Sequence, residues 1–126
     1  MGREYEDEKI YKLCRELGFD KLFNHNLGLD TIISSKGTNI SGGQKKQISI
    51  LRGLIHDPQI IILDEPTTFM DEHTKKEFFR YLNLKCDEKI VLIISHETID
   101  NAMFDEVLQL NRYKNGNEIF TYQNNI

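Results

Sequence analysis

At 126 residues the chain has room for one compact core, and 39% hydrophobic against 29% charged residues fits a globular protein rather than a disordered tail or a fibrous repeat. A net charge of −4 with an isoelectric point near 5.5 argues against a chain built to neutralise nucleic-acid phosphates. No apolar run approaches the roughly 20 residues a membrane-spanning helix needs, and Met1-Gly2 is not a myristoylation start, because Glu6 stands where Ser or Thr is required.

In chain order, Ile10, Leu13, Cys14 and Leu17 recur at helical spacing before Gly18, which predicts an amphipathic helix over residues 5–17. Residues 19–26 suit one or two further helical turns. Gly28, Asp30, Ser34, Ser35 and Gly37 then mark an irregular connection. A second helix begins at Ser41, whose hydroxyl can cap it, and runs to about Ile55 with Ile48, Leu51, Leu54 and Ile55 on one stripe. Asp57-Pro58 ends it. Residues 59–63 form a short, almost wholly apolar run rich in Ile and followed by acids, the pattern of a strand buried on both faces of a parallel sheet. Asp71 caps a third helix to about Leu84, and residues 89–95 read as another buried strand. A short helix near 97–102 and a hairpin of residues 106–110 and 118–122 around Asn115-Gly116 close the chain. Cys14 and Cys86 match neither a metal-ligand spacing nor a disulfide framework, which points to a reducing, cytosolic setting.

Two segments carry chemistry. Ser41-Gly42-Gly43-Gln44 places a hydroxyl and two glycines at a helix start, where free N–H groups and the positive end of the helix dipole favour an anion; a well-capped helix is the plainer alternative. Asp64-Glu65 follows a strand directly, so that one carboxylate can hold Mg²⁺ while the other orients or deprotonates a water; a solvated strand end is the alternative. In a parallel sheet His96 emerges on the same edge, a structural or merely exposed histidine being the alternative.

Taken together, NISGGQKKQISILRGLIHDPQIIILDEPTTFMDEHT and VLIISHE closely resemble the carboxyl half of an ABC ATPase domain, over roughly residues 27–112. The resemblance implies an α/β fold: a partial P-loop NTPase domain with a mostly parallel sheet, flanking helices and part of the helical subdomain. It divides the chain into a partial helical subdomain with the signature helix, 1–58, and the C-terminal part of the ATPase core, 59–126. It assigns Ser41, Gly42, Gly43 and Gln44 to the signature motif, which contacts a nucleotide held by the opposite subunit. Asp64 matches the Walker B aspartate that supports Mg²⁺, Glu65 the catalytic carboxylate and His96 the switch residue that reaches the γ-phosphate. Residues 66–71 match the D-loop, ending on Asp71, although Thr-Phe-Met precedes the aspartate where the family more often has Ser-Ala-Leu or Asn-His-Leu. Residues 28–39 look like the stretch that precedes the signature in exporters, near the membrane domain. Lys45, Lys46 and Arg52 stand where the family often has basic residues, and the two lysines read as a solvated helix face.

A P-loop ATPase cradles phosphates in Gly-x-x-x-x-Gly-Lys-Ser/Thr, and that string does not occur between Met1 and Ile126. The chain is accordingly expected to begin inside the helical subdomain, to fold marginally beside an unpaired sheet edge and to turn over no ATP alone. The expected function is that of an ATP-binding, ATP-hydrolysing part of an exporter-type ABC transporter, with ATP and Mg²⁺ as cofactors. Expected partners are a second ATPase subunit or the missing half and a transporter membrane domain, with self-association through the open edge; no nucleic acid is expected. The location is cytoplasmic, peripheral to a membrane. Two alternatives are a non-catalytic module docking on an intact ABC subunit and part of a soluble ABC ATPase acting on ribosomes or DNA.

Overall fold

The computed structural model describes residues 6–23, 27–97, 100–112 and 118–124. It forms two compact units, Met1–His96 and Glu97–Ile126. The first holds α1 (Asp7–Glu16), α2 (Gly42–Leu54), β1 (Ile60–Asp64), α3 (Glu72–Lys85) and β2 (Ile90–Ile94). The second holds a 3₁₀ turn at Asn101–Met103 and the antiparallel pair β3 (Glu106–Arg112) and β4 (Glu118–Asn124). The Asn115-Gly116 turn expected between them lies outside the described residues. The helix expected near 97–102 is represented by the 3₁₀ turn.

The core of the first unit is assembled from the apolar stripes of the helices. Leu17, Phe19, Leu22 and Phe78 are almost wholly excluded from solvent. Phe19 and Phe78 stack with centroids 6.4 Å apart, and Phe79 meets Phe78 edge-on at 5.6 Å. Aromatic pairs of this kind add about 0.5–1.5 kcal/mol beyond the area they bury. The chain leaves α1 through Gly18, whose φ of 73° lies in the left-handed region, and Phe19 N then donates to Cys14 O at 2.9 Å. A side chain at residue 18 would stand 2.8 Å from Glu77 Cβ, so both the backbone angle and the close approach of α3 require glycine here. The Cys14 thiol donates to Phe19 O at 3.0 Å, and burial pushes its pKa up to about 12.

β1 and β2 pair in parallel, Ile60 opposite Ile90, Ile62 opposite Leu92 and Asp64 opposite Ile94. Contrary to the expectation from sequence, these strands are not buried on both faces. Ile61 and Leu63 are buried, but Ile60, Ile62, Ile90, Leu92 and Ile94 are each half or more exposed. The physical reason is the pleat: alternate residues point to opposite faces, and among the described residues packing covers one of them. The stripe of α2 is also shifted, with Ile50, Leu51, Leu54 and Ile55 buried and Ile48 half-buried. No helix among the described residues is long and apolar enough to cross a membrane.

Candidate functional site

The approach to α2 is stapled before the helix begins. Asn39 accepts from Ser34 N at 3.1 Å through Oδ1 and donates to Ile32 O at 2.9 Å through Nδ2. Thr38 N donates to Ser34 Oγ at 3.0 Å. These bonds hold the connection that delivers Ser41. There the capping box closes in both directions: Gln44 N donates to Ser41 Oγ at 3.1 Å, and Ser41 N donates to Gln44 Oε1 at 2.9 Å. Two donors that a helix start leaves unpaired are thus satisfied by the side chains of the same four-residue motif.

The carboxyl ends of β1 and β2 bring Glu65 and His96 together. Parallel pairing ends at Asp64 and Ile94, and Glu65 N donates to Ile94 O at 2.8 Å. Glu65 adopts a φ of 47°, a left-handed conformation uncommon for a residue other than glycine. His96 Nδ1 lies 2.6 Å from Glu65 Oε1, and the His96 amide donates to the same oxygen at 3.0 Å. Ser95 Oγ donates to Oε2 at 3.4 Å. The His96 hydrogen bond, opposed by partial desolvation, holds the Glu65 carboxyl below the usual glutamate range. A carboxylate kept ionised and oriented from two sides suits the positioning or activation of a water.

Asp64 is exposed at the end of β1, and its carbonyl accepts a hydrogen bond from Lys46 Nζ. Sequence reasoning placed Lys46 on a solvated helix face. The structure instead has it half-buried and bridging α2 to the end of β1. The available signal was its spacing, four residues before Ile50 and eight before Leu54, on the buried stripe. Lys46, Ser49, Gly53, Ile62, Asp64 and Pro66 contribute to an open groove of about 470 Å³ between α2 and β1.

Asp71 serves as the N-cap of α3, accepting from Thr74 N at 2.8 Å and pairing with Lys21 at 3.5 Å. The Thr74 hydrogen bonds lower its pKa to about 2. Between the two acids, Pro66 and Thr67 are buried. Phe69 is 73% exposed at a φ of 71° and lies over Gly42 and Gly43, a contact the sequence reading did not anticipate.

Residues 3–68, more than half of the chain, match the family model described as ABC transporter. The chain is 32% identical over 113 residues, 89% of its length, to the lactococcin-G-processing and transport ATP-binding protein LagD of Lactococcus lactis subsp. lactis. It is 38% identical over 86 residues, 68% of its length, to the ATP-dependent lipid A-core flippase 2 of Colwellia psychrerythraea. It spans 16% and 15% of those two relatives. The fold is that of part of an ATP-bound bacterial Atm1-family ABC exporter, with a TM-score of 0.70 at 23% identity over 82% of this chain and 18% of that one. On the family match and on these two relatives, the chain belongs to the ABC transporter family.

Proposed function

We propose that the chain works as part of the ATP-binding, ATP-hydrolysing domain of an exporter-type ABC transporter. The observation that carries this reading is the contact of Glu65 with His96 at the carboxyl edge of a parallel strand pair. Asp64 fits a Mg²⁺ role through its donor chemistry, since Mg²⁺ at phosphate sites takes one or two carboxylates and completes its shell with phosphate and water. When bound, the ion would neutralise charge on the phosphates. Glu65 orients the attacking water and accepts its proton, while His96 keeps the carboxylate ionised and aimed. Ser41 and the N–H groups of Gly42, Gly43 and Gln44 offer donors to phosphate at the start of α2, in the family's manner to a nucleotide held by a second subunit.

The phosphate loop that this chemistry needs comes from outside residues 1–126, either from a preceding half or from a partner subunit. Residues 1–58 act as helical subdomain and 59–126 as core. The working place is cytoplasmic, against a transporter membrane domain. The exposed apolar face of β1 and β2 favours a second reading, in which the chain docks on another ABC subunit or on its own copy without catalysis.

ATP turnover is the test, measured for the chain alone and mixed with a polypeptide carrying an ABC phosphate-loop half. No turnover is expected alone. The mixture should hydrolyse ATP and lose that activity with Glu65→Gln. Turnover by the chain alone that survives Glu65→Gln would overturn the catalytic reading, and a stable mixture that neither binds nor hydrolyses ATP would favour the docking module.

A further inference from the structure

Phe69 combines three observations that the catalytic reading does not use. Its φ of 71° is a left-handed conformation, an outlier for a bulky side chain that persists only where the surroundings over-determine it. The residue is 73% exposed, so burial in a core does not hold it there. Its atoms meet α2 where that helix has no side chains: a Cβ at Gly42 would stand 3.6 Å from Phe69 Cε2 and Cζ, and one at Gly43 would stand 3.3 Å from Phe69 Cβ. The ring covers Gly42, and the root of the side chain abuts Gly43.

The two contacts differ in kind. The ring can turn away from an added group by changing rotamer. Phe69 Cβ cannot, because it is fixed to the backbone, so a methyl group at residue 43 must displace the loop of residues 66–71 or the start of α2. The absence of a side chain at Gly43 is therefore matched to the path of that loop as well as to the helix end.

We infer that Phe69 is a positioning residue that joins the loop after Glu65 to the first turn of α2, so that the segment carrying the acids and the segment carrying Ser41 move as one. The inference rests on the nucleotide-facing reading of both segments, and it names the contact that would transmit a displacement of one to the other. Within this chain the link runs from Glu65 through buried Pro66 and Thr67 to Phe69, and across to Gly43 and the capping box of Ser41 and Gln44.

Amide hydrogen exchange resolved by residue tests the link, combined with thermal unfolding of four variants of the whole chain. Phe69→Gly suits the left-handed backbone while removing both Cβ and ring, so the variant should fold. It should speed exchange of the Gln44 and Lys45 amides, both bonded to Ser41, by roughly two- to tenfold, as for loss of the summed dispersion contacts of one packed side chain. Exchange in β1 and β2 should stay at parental rates. Phe69→Tyr should restore protection. Gly43→Ala should lower the unfolding temperature of the parent but not of Phe69→Gly, where the remaining neighbour is Ser41 Oγ at 3.9 Å and alanine is the better helix former. Parental exchange of Gln44 and Lys45 in Phe69→Gly, or an equal penalty for Gly43→Ala in both backgrounds, overturns the inference. No nucleotide enters the experiment, so its failure is separable from failure of the ATPase reading.

Discussion

His96 Nδ1 lies 2.6 Å from Glu65 Oε1 while the His96 amide donates to that same oxygen at 3.0 Å, so one carboxylate oxygen holds both the ring and the backbone of the residue beyond β2. The arrangement follows from parallel pairing. Strands that run together end together, and side chains just past their carboxyl ends share an edge.

The first prediction concerns the titration of Glu65. Its folded-state pKa is depressed, chiefly by the His96 hydrogen bond. The associated stabilisation is therefore complete above the ordinary glutamate value and is lost as pH falls through the depressed one. In His96→Ala the ring interaction disappears, while residue 96 keeps its amide and Ser95 its hydroxyl, so the Glu65 pKa should rise part of the way toward the usual range. Carboxyl-carbon NMR titration measures this directly. An unchanged Glu65 titration would show that the ring does not hold the carboxylate.

The second prediction separates the backbone demand at Gly18 from the packing demand at Phe78. Gly18→Ala forces an L side chain into a φ of 73° and onto Glu77 Cβ at 2.8 Å, and should cost about 1–3 kcal/mol. Phe78→Ala removes a ring that is 0% exposed and stacked against Phe19, and should cost about 3–5 kcal/mol. Chemical denaturation reads both values. A Gly18→Ala chain as stable as the parent would mean that the junction of α1 with α3 rearranges at little cost.

The third prediction concerns the exposed sheet face. Ile62 and Leu92 are register partners exposed by 66% and 51%. Fully burying an aliphatic side chain is worth roughly 1.5–3 kcal/mol, so a face carrying five of them favours association. Ile62→Glu combined with Leu92→Lys places opposite charges on register partners of the parallel pair, so that the two charges offset rather than repel each other. The double variant should sediment as a smaller species than the parent across a concentration series, with an unfolding temperature close to the parental one. Identical sedimentation of the two proteins would remove this face as a route to self-association.

The parts of the fold readable from sequence were those set by local rules. Ser41 and Gln44 satisfy each other across three residues, so the cap of α2 needs no tertiary information. Glu65 and His96 could be placed on one edge because two apolar runs joined by a helix imply parallel strands. The exposed face was unreadable for a physical reason: an uninterrupted run such as Ile60 to Leu63 lacks the alternation that distinguishes a covered face from an open one. Phe69 was hidden differently. Phenylalanine carries no propensity for left-handed backbone, and its seat on Gly42 and Gly43 joins segments more than 20 residues apart.

Lys46 supplies the last prediction. Its ammonium donates to the Asp64 carbonyl at the end of β1, and its half-buried position four residues before Ile50 and eight before Leu54 puts its methylene stem on the buried side of the helix, where such stems pack. Charge and stem contribute separately, and two substitutions divide them. Lys46→Met keeps the stem and much of its volume, removes the donor and leaves helix propensity nearly unchanged. Because the bond is exposed to solvent, water can replace the lost donor, and the cost should be about 0.5–1 kcal/mol. Lys46→Ala removes the stem as well, so despite alanine's advantage in helices it should cost more than Lys46→Met. Denaturation midpoints rank the two. The reverse ranking would show that whatever the stem packs is worth less than alanine's advantage as a helix former.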